Sequence, residues 1–491
     1  MPSAIQPRVV EAPGGGLIRN ADPRHVPDTG WSAGRNVRFP TGGTRVRKTD
    51  GYARLDDPGW TGEPLRALWW YVHPYGLAEP TLVRIGLTGA WAGVPGGDVR
   101  QIATFATPRT LADIVTMDQY EDKLIWADGK ENYAWSGTED DVAVLIPNVA
   151  AGAIVEVHKQ RLLVGNLIGQ PWRVAYSDLG DPLGWLGDTA GDENFLEDST
   201  PVIAVKLLGD HAIVHKANRL YRLINVGPPE EYIQEGVPAD DGAISARAPI
   251  SIGSYQYYIG RTNFYRLGSF SEPIGDAIWP EVSDAIDWPR ASWVYAYRRL
   301  EYDEICWKMP ARGAAQPNLT AIYNFRNNTW TLTDHDPGTC FTELPPPGPP
   351  SGEAPAVDAN IRPVRGVFGQ ATGKLQLYGG RNADGVSIGA WVESRHFTDG
   401  LQPARVLAVP VYATGTGDLR VYCRAGMDPR QPMPPWPTPR LLALDAPQYR
   451  PWVDVRVSGR LWQVRLESNQ LDDDWEVSAY GAAVITGGYA R

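Results

Sequence analysis

A pair of short β-rich runs, split by a turn, recurs along this chain from about residue 65 to residue 385. Lys123-Leu124-Ile125-Trp126 is followed, across Asp128-Gly129, by Asn132-Tyr133-Ala134-Trp135. Ala212-Ile213-Val214-His215 is followed, across Ala217-Asn218, by Leu220-Tyr221-Arg222-Leu223. β-Branched and aromatic residues around short turns with Gly or Asn read as hairpins. Steps of 38, 51, 44, 48 and 62 residues separate the markers Leu124, Leu162, Ile213, Tyr257, Ile305 and Val367. A four-stranded propeller blade takes roughly 40–50 residues. The 52 Gly and 43 Pro among 491 residues argue against long helices and suit many short strands.

The expected fold is therefore all-β: an irregular β-propeller of six or seven blades over residues 61–387, with a C-terminal β-sandwich over 388–491. Two stacked sandwiches are the competing arrangement, but a loose period kept over some 300 residues favours the radial one. In the C-terminal part, Trp452 to Val457 and Leu461 to Leu466 alternate around Ser458-Gly459. Pro410 places its strand at a sheet edge or a bulge. Two Pro-rich stretches, Leu344 to Pro350 and Gln431 to Pro439, read as stiff loops. Residues 1–60, rich in Gly, Pro and Arg, read as an extended arm with turns at Gly14-Gly15-Gly16 and Gly42-Gly43.

Charge is uneven. Residues 1–54 carry nine Arg/Lys against four Asp/Glu, a net of +5 in a chain whose total is −11. Binding of nucleic acid through a generally basic surface is disfavoured. The basic arm is suited to docking on an acidic neighbour, which makes Arg35, Arg38, Arg45 and Arg47 candidate partner contacts. Trp436, in the second Pro-rich loop, is a fifth candidate, or else a cap on the sandwich edge.

Chemical motifs are weak. Gly385-Val386-Ser387-Ile388-Gly389 spells a nucleophile elbow, but a polar turn precedes it and a strand-like run follows, where a strand and a helix are needed. His211 and His215 have i, i+4 spacing on a strand, which sets them about 13 Å apart, too far for one metal. Ser177-Asp178-Leu179-Gly180-Asp181 loosely resembles the Asp-box turn of sialidase-type propellers, with the wrong spacing. Asp472, Asp473 and Asp474 read as a solvated turn. The Asn318 and Asn327 sequons are read as chance matches, because no secretory leader is seen. Cys306, Cys340 and Cys423 read as free thiols. No catalytic group, cofactor, metal or membrane-spanning run is expected.

The pieces together resemble the β-propeller tail proteins of short-tailed bacteriophages, the hub or nozzle proteins also described as packaged-DNA stabilisation proteins. Gly15-Gly16-Leu17, Asp22-Pro23, Asn36-Val37-Arg38-Phe39, Arg47-Lys48 and Gly51-Tyr52 look like their opening. Tyr176-Ser177-Asp178 with Asp181-Pro182 and Trp185 looks like a middle blade, and Ile322 to Phe325 with Asn328-Thr329-Trp330 like a blade ending in a buried Trp. Ser458-Gly459-Arg460, Val464 to Ser468 and Trp475 resemble the end of the chain. The resemblance implies a virion protein made in the host cytoplasm, a homo-oligomer, expected to be a hexamer, ringing a channel through which genomic DNA passes without sequence-specific binding. Its implied partners are an adaptor or head-to-tail connector protein and a tail needle or fibres. A polysaccharide-binding or sialidase-like propeller and a generic interaction scaffold stand as alternatives.

Overall fold

In a computed structural model, the described residues are 5–486 apart from 56–59, 61, 77–78, 139–140, 199, 345–364, 399–401 and 447–450. The Pro-rich run 345–350 thus lies outside the described residues. Among the described residues there is one short α-helix, Trp279–Ala285, and the rest of the regular structure is almost entirely strand.

Seven four-stranded antiparallel sheets follow one another from Ala67 to Tyr378. They are the blades of a propeller, seven among the described residues. Their first strands are Ala67–Tyr71, Thr116–Tyr120, Gly152–His158, Ala204–Leu208, Ile250–Ile252, Tyr295–Arg299 and Cys340–Leu344. From the second round to the seventh these strands pack each on the next, the seventh packs on the first, blades 1 and 2 share a core, and all seven strands line one central cavity.

Period-2 alternation explains why each blade holds two neighbours. In blade 2, Leu124 and Trp126 pack with Ile85 and Ala92 of blade 1, whereas Ile125 and Ala127 pack with Val155 and Leu162 of blade 3. All four blade 2 residues are fully buried, so a middle strand reads as a continuous apolar run, each half of it serving a different interface. Burying one such side chain contributes about 1.5–3 kcal/mol.

Residues 6–55 are not a free arm. Gln6–Glu11 pairs with Asp474–Thr486, Ala33–Arg35 with Ala390–Glu393, and Val46–Lys48 with both Val37–Arg38 and Asp474–Thr486. These four segments complete a C-terminal sandwich of one six-stranded and one five-stranded sheet. Tyr52–Leu55 then becomes the outermost strand of blade 7, Tyr52 opposite Tyr378. The sandwich and the propeller are therefore each closed by the same N-terminal segment. At the entry to blade 7, a Cβ on Gly51 would lie 2.0 Å from the Asn382 carbonyl oxygen, so only glycine fits there.

Pro410 lies in an inner strand of the six-stranded sheet, not at its edge, between register shifts at Val406/Ala408 and Tyr412/Ala413. Pro410 itself stays in register opposite Trp452, with the bulges flanking it on either side. The true edge strand, Trp452–Gly459, carries Arg456 at φ 54°, beside the first of those shifts, a kink that blunts it against pairing with another chain.

Candidate functional site

The free backbone edges of the seven innermost strands face the central cavity, and each needs hydrogen-bond partners. Side chains from the adjoining blade supply many of them. Thr342 Oγ1 accepts from Trp70 N (3.1 Å), Thr116 Oγ1 from Val155 N (2.9 Å) and Asp118 Oδ2 from Val157 N (2.7 Å). Glu156 Oε1 accepts from Leu207 N (3.1 Å), and Gln119 Nε2 donates to the Val72 carbonyl (3.0 Å). These polar residues rivet blade to blade.

The cavity itself holds about 240 Å³. Its charged lining groups are Glu156, Lys206 and Arg247; Glu156 is buried, its Oε2 2.7 Å from Lys206 Nζ, and the Lys206 side chain keeps 38% exposure. Burial pushes the Glu156 carboxyl up to about 7, against the pull of Lys206 and helped by nearby Asp118. Burial likewise raises Asp118, against Lys206 and two backbone N–H groups. At one mouth Arg247 reaches across from the approach to blade 5. It donates to the carbonyls of Arg66 (3.1 Å), Thr339 (3.3 Å) and Trp293 (3.4 Å), which lead into blades 1, 7 and 6. A duplex, whose major groove alone is about 12 Å wide, cannot enter such a cavity.

A pH dependence follows from Glu156. The folded state takes up its proton near pH 7, the unfolded chain near the ordinary 4.5. Stability contributed here therefore rises as pH falls from about 8 to 5, by up to about 3 kcal/mol. Urea midpoints measured across that range should rise toward pH 5, and Glu156→Gln should flatten most of the rise. A midpoint that falls steadily from pH 8 to 5 contradicts this assignment.

The five residues expected at partner contacts are distributed as follows. Arg35 NH2 lies 2.5 Å from Glu281, which also takes Arg19 at 2.5 Å. Arg38, with 2% side-chain exposure, is held by Glu304 (3.0 Å) and Asp50 (2.6 Å) and lies over the Tyr302 ring at 3.4 Å. Arg47 joins Asp50 at 3.0 Å, and Arg45 joins Glu476 at 2.5 Å while keeping 56% exposure. The acidic neighbour expected for the basic segment is the body of its own chain. Burial opposes the charge on Arg38, yet Glu304 and Asp50 hold its proton more tightly than usual. Burial would raise the Asp50 carboxyl, but Arg38, Arg299 and Arg47 keep it low. Trp436 is half-buried, with the Arg424 guanidinium 4.0 Å over its ring and Tyr422 edge-on at 6.1 Å. It folds back on the inner sandwich strand Asp418–Gly426.

The other motif residues are held structurally. Asp178 accepts from Gly187 N (3.0 Å) and Thr189 Oγ1 (3.0 Å), and Asp181 from Leu183 N (2.9 Å), so both carboxylates tie their own turn. His215 Nε2 faces Gln256 Oε1 at 2.7 Å inside blades 4 and 5. Asp473 accepts from Gln470 N (2.8 Å), and its carbonyl takes Lys48 Nζ (2.7 Å). All three cysteines are buried, and burial raises each thiol. Among the described residues no group of His, Cys, Asp and Glu is arranged to hold a metal ion, and no helix is long and apolar enough to cross a membrane.

No family model matches the chain, and no curated protein matches it. Solved structures that resemble it include BBS1N in complex with ARL6DN, at 11% identity over 67% of this chain and 97% of that chain, with a TM-score of 0.37. The AfRom2 CNH domain is similar at 8% identity over 67% of this chain and 98% of that one, also at 0.37.

Proposed function

We propose that this chain is a structural protein of a short-tailed phage tail, a nozzle or hub subunit that acts through protein–protein contact. The observation that carries the reading is where the resemblance-bearing residues sit. Leu17 N donates to the Trp330 carbonyl (2.9 Å), Asn36 N to that of Leu332 (3.0 Å), and Thr331 Oγ1 to that of Val37 (2.8 Å). Arg38 joins Glu304 of blade 6, Lys48 joins Asp473 of the sandwich, and Tyr52 joins blade 7. The opening motif is thus the joint that locks sandwich to propeller. A rigid joint is what a ring subunit needs, because each copy must present two faces at a fixed angle for the ring to close.

In this reading six copies form a ring below the portal and adaptor, retain the packaged genome and anchor distal tail parts. The DNA path lies between copies, and an acidic wall lets the duplex slide. Electron microscopy of the purified protein, alone and with its virion, tests this. Six-fold rings at the distal tail are the expected result. A chain that stays monomeric and is absent from virions overturns it.

A further inference from the structure

Lys308 lies in the second strand of blade 6, Glu304–Met309, and is wholly buried. Its Nζ is 2.8 Å from Oδ2 of Asp336 and also donates to the Asp336 backbone carbonyl. Asp336 sits between the last strand of blade 6, Thr329–Thr333, and the first strand of blade 7. Among the described lysine–carboxylate pairs, this one alone has both side chains almost without exposure, at 0% and 3%. The next most buried, Lys216 with Asp198, leaves 23% on the acid. The rings of Phe368, Tyr297 and Tyr378 lie 4.8, 5.9 and 5.9 Å from Nζ.

Holding two charges in such an interior is costly, and joining them as an amide removes both. The groups around the pair are those that a condensation uses. A lysine desolvated in an aromatic pocket is an activated nucleophile. A nitrogen at hydrogen-bond distance from a carboxylate oxygen lies about 3–3.5 Å from its carbon, the range from which attack proceeds. Thr320 Oγ1 donates to Oδ1 (3.3 Å), where charge gathers as the carbon becomes tetrahedral. Tyr378 donates its O–H to Oδ2, and its oxygen is 3.4 Å from Nζ, so it touches both the nucleophile and the leaving oxygen. Tyr378 also lines an open cleft of about 270 Å³, a way out for water.

We propose that Lys308 and Asp336 condense within the folded chain to an amide between Nζ and Cγ. One proton crosses from Nζ to Oδ2, leaving an amine and a carboxylic acid. The amine lone pair bonds Cγ, and the carbonyl pair moves onto Oδ1 beside Thr320. A second proton passes from nitrogen to the departing hydroxyl through Tyr378. The carbonyl re-forms, the Cγ–Oδ2 bond breaks and one water leaves, with nothing oxidised or reduced. Burial loosens the proton on Lys308. Burial would raise Asp336, but Lys308 and His335 keep it low, so the first proton transfer is the uphill step. The bond staples blade 6 to the entry of blade 7, closing a loop of 28 residues beside the strand that Tyr52–Leu55 completes.

Mass spectrometry of the intact protein, unfolded after purification, tests this. The parent should weigh one water less than its sequence, and Lys308→Arg should weigh its full sequence mass. A tryptic digest of the parent should hold one branched peptide that carries both Lys308 and Asp336 and is uncut after Lys308. Tyr378→Phe should slow the linking about a hundredfold, seen as unlinked chain in freshly made protein. Circular dichroism checks that parent and variants are folded. A folded parent at full mass, cut by trypsin after Lys308, overturns the proposal and leaves a plain buried ion pair. A water lost elsewhere, as by imide closure at Asp384-Gly385, overturns it equally.

Discussion

A chain lacking residues 1–55 is expected to be recovered as aggregate, with neither the sandwich nor the propeller folded. Deletion strips four strand segments from the sandwich and the outermost strand from blade 7. It also removes Val10, Leu17, Trp31, Val37, Phe39 and Val46 from one continuous core that spans blades 5 and 6 and both sandwich sheets. At about 1.5–3 kcal/mol each, those six side chains contribute as much as or more than the 5–15 kcal/mol by which a typical protein is stable. Trp31 alone stacks on Tyr480 at 4.9 Å and donates its indole N–H to the Pro13 carbonyl. Soluble yield and limited proteolysis read the outcome. If the shortened chain ran as a monodisperse, protease-resistant body, the segment would be an appendage after all.

Arg38→Ala should be the most damaging single substitution in the joint. Glu304 is buried to the same degree as Arg38, which bonds its Oε1, and its Oε2 has no hydrogen-bond partner. Removing the guanidinium leaves that carboxylate charged in the interior and takes one of three arginines from Asp50. Breaking a buried pair in this way costs about 3–5 kcal/mol. Arg38→Lys should recover only part, because one ammonium cannot serve both Glu304 and Asp50 while lying flat on Tyr302. The double change Arg38→Met/Glu304→Leu should lie closer to the parent than Arg38→Ala does, since it leaves no orphan at Glu304. Urea denaturation followed by tryptophan fluorescence orders the variants. A loss below about 1 kcal/mol for Arg38→Ala would place the pair among ordinary surface bridges.

The blades were legible in the sequence because their signal is local. Leu124 to Ala127 and Leu162 to Val164 are buried on both faces, so they appear as unbroken apolar runs between turn residues. The N-terminal strands were not legible, for an equally physical reason. Val37–Arg38 is two residues long and Val46–Lys48 three, too short to show alternation. Val37–Arg38 pairs with Val46–Lys48, whose other partner lies more than 400 residues away in Asp474–Thr486. Arg35 and Arg38, expected at partner contacts, are ion-paired within the chain, and Glu281 and Glu304 could be matched to them only through the fold. The channel acids are a similar case. Asp118 and Glu156 look like the polar half of a strand, and nothing near them in sequence shows that each accepts a backbone N–H from the next blade.

The closing strand of blade 7 also sets a timetable. Tyr52–Leu55 leaves the ribosome long before its partner Leu375–Tyr378, which follows some 300 residues later. At about 5–20 residues per second, that strand waits on the order of 15–65 s. Throughout this interval blade 7 does not exist, the circuit is open between blades 1 and 6, and the edges that will meet are bare. Such edges invite pairing with other nascent chains. The yield of folded protein should therefore depend on how crowded its own polysomes are, and slower initiation or a holding chaperone should raise it.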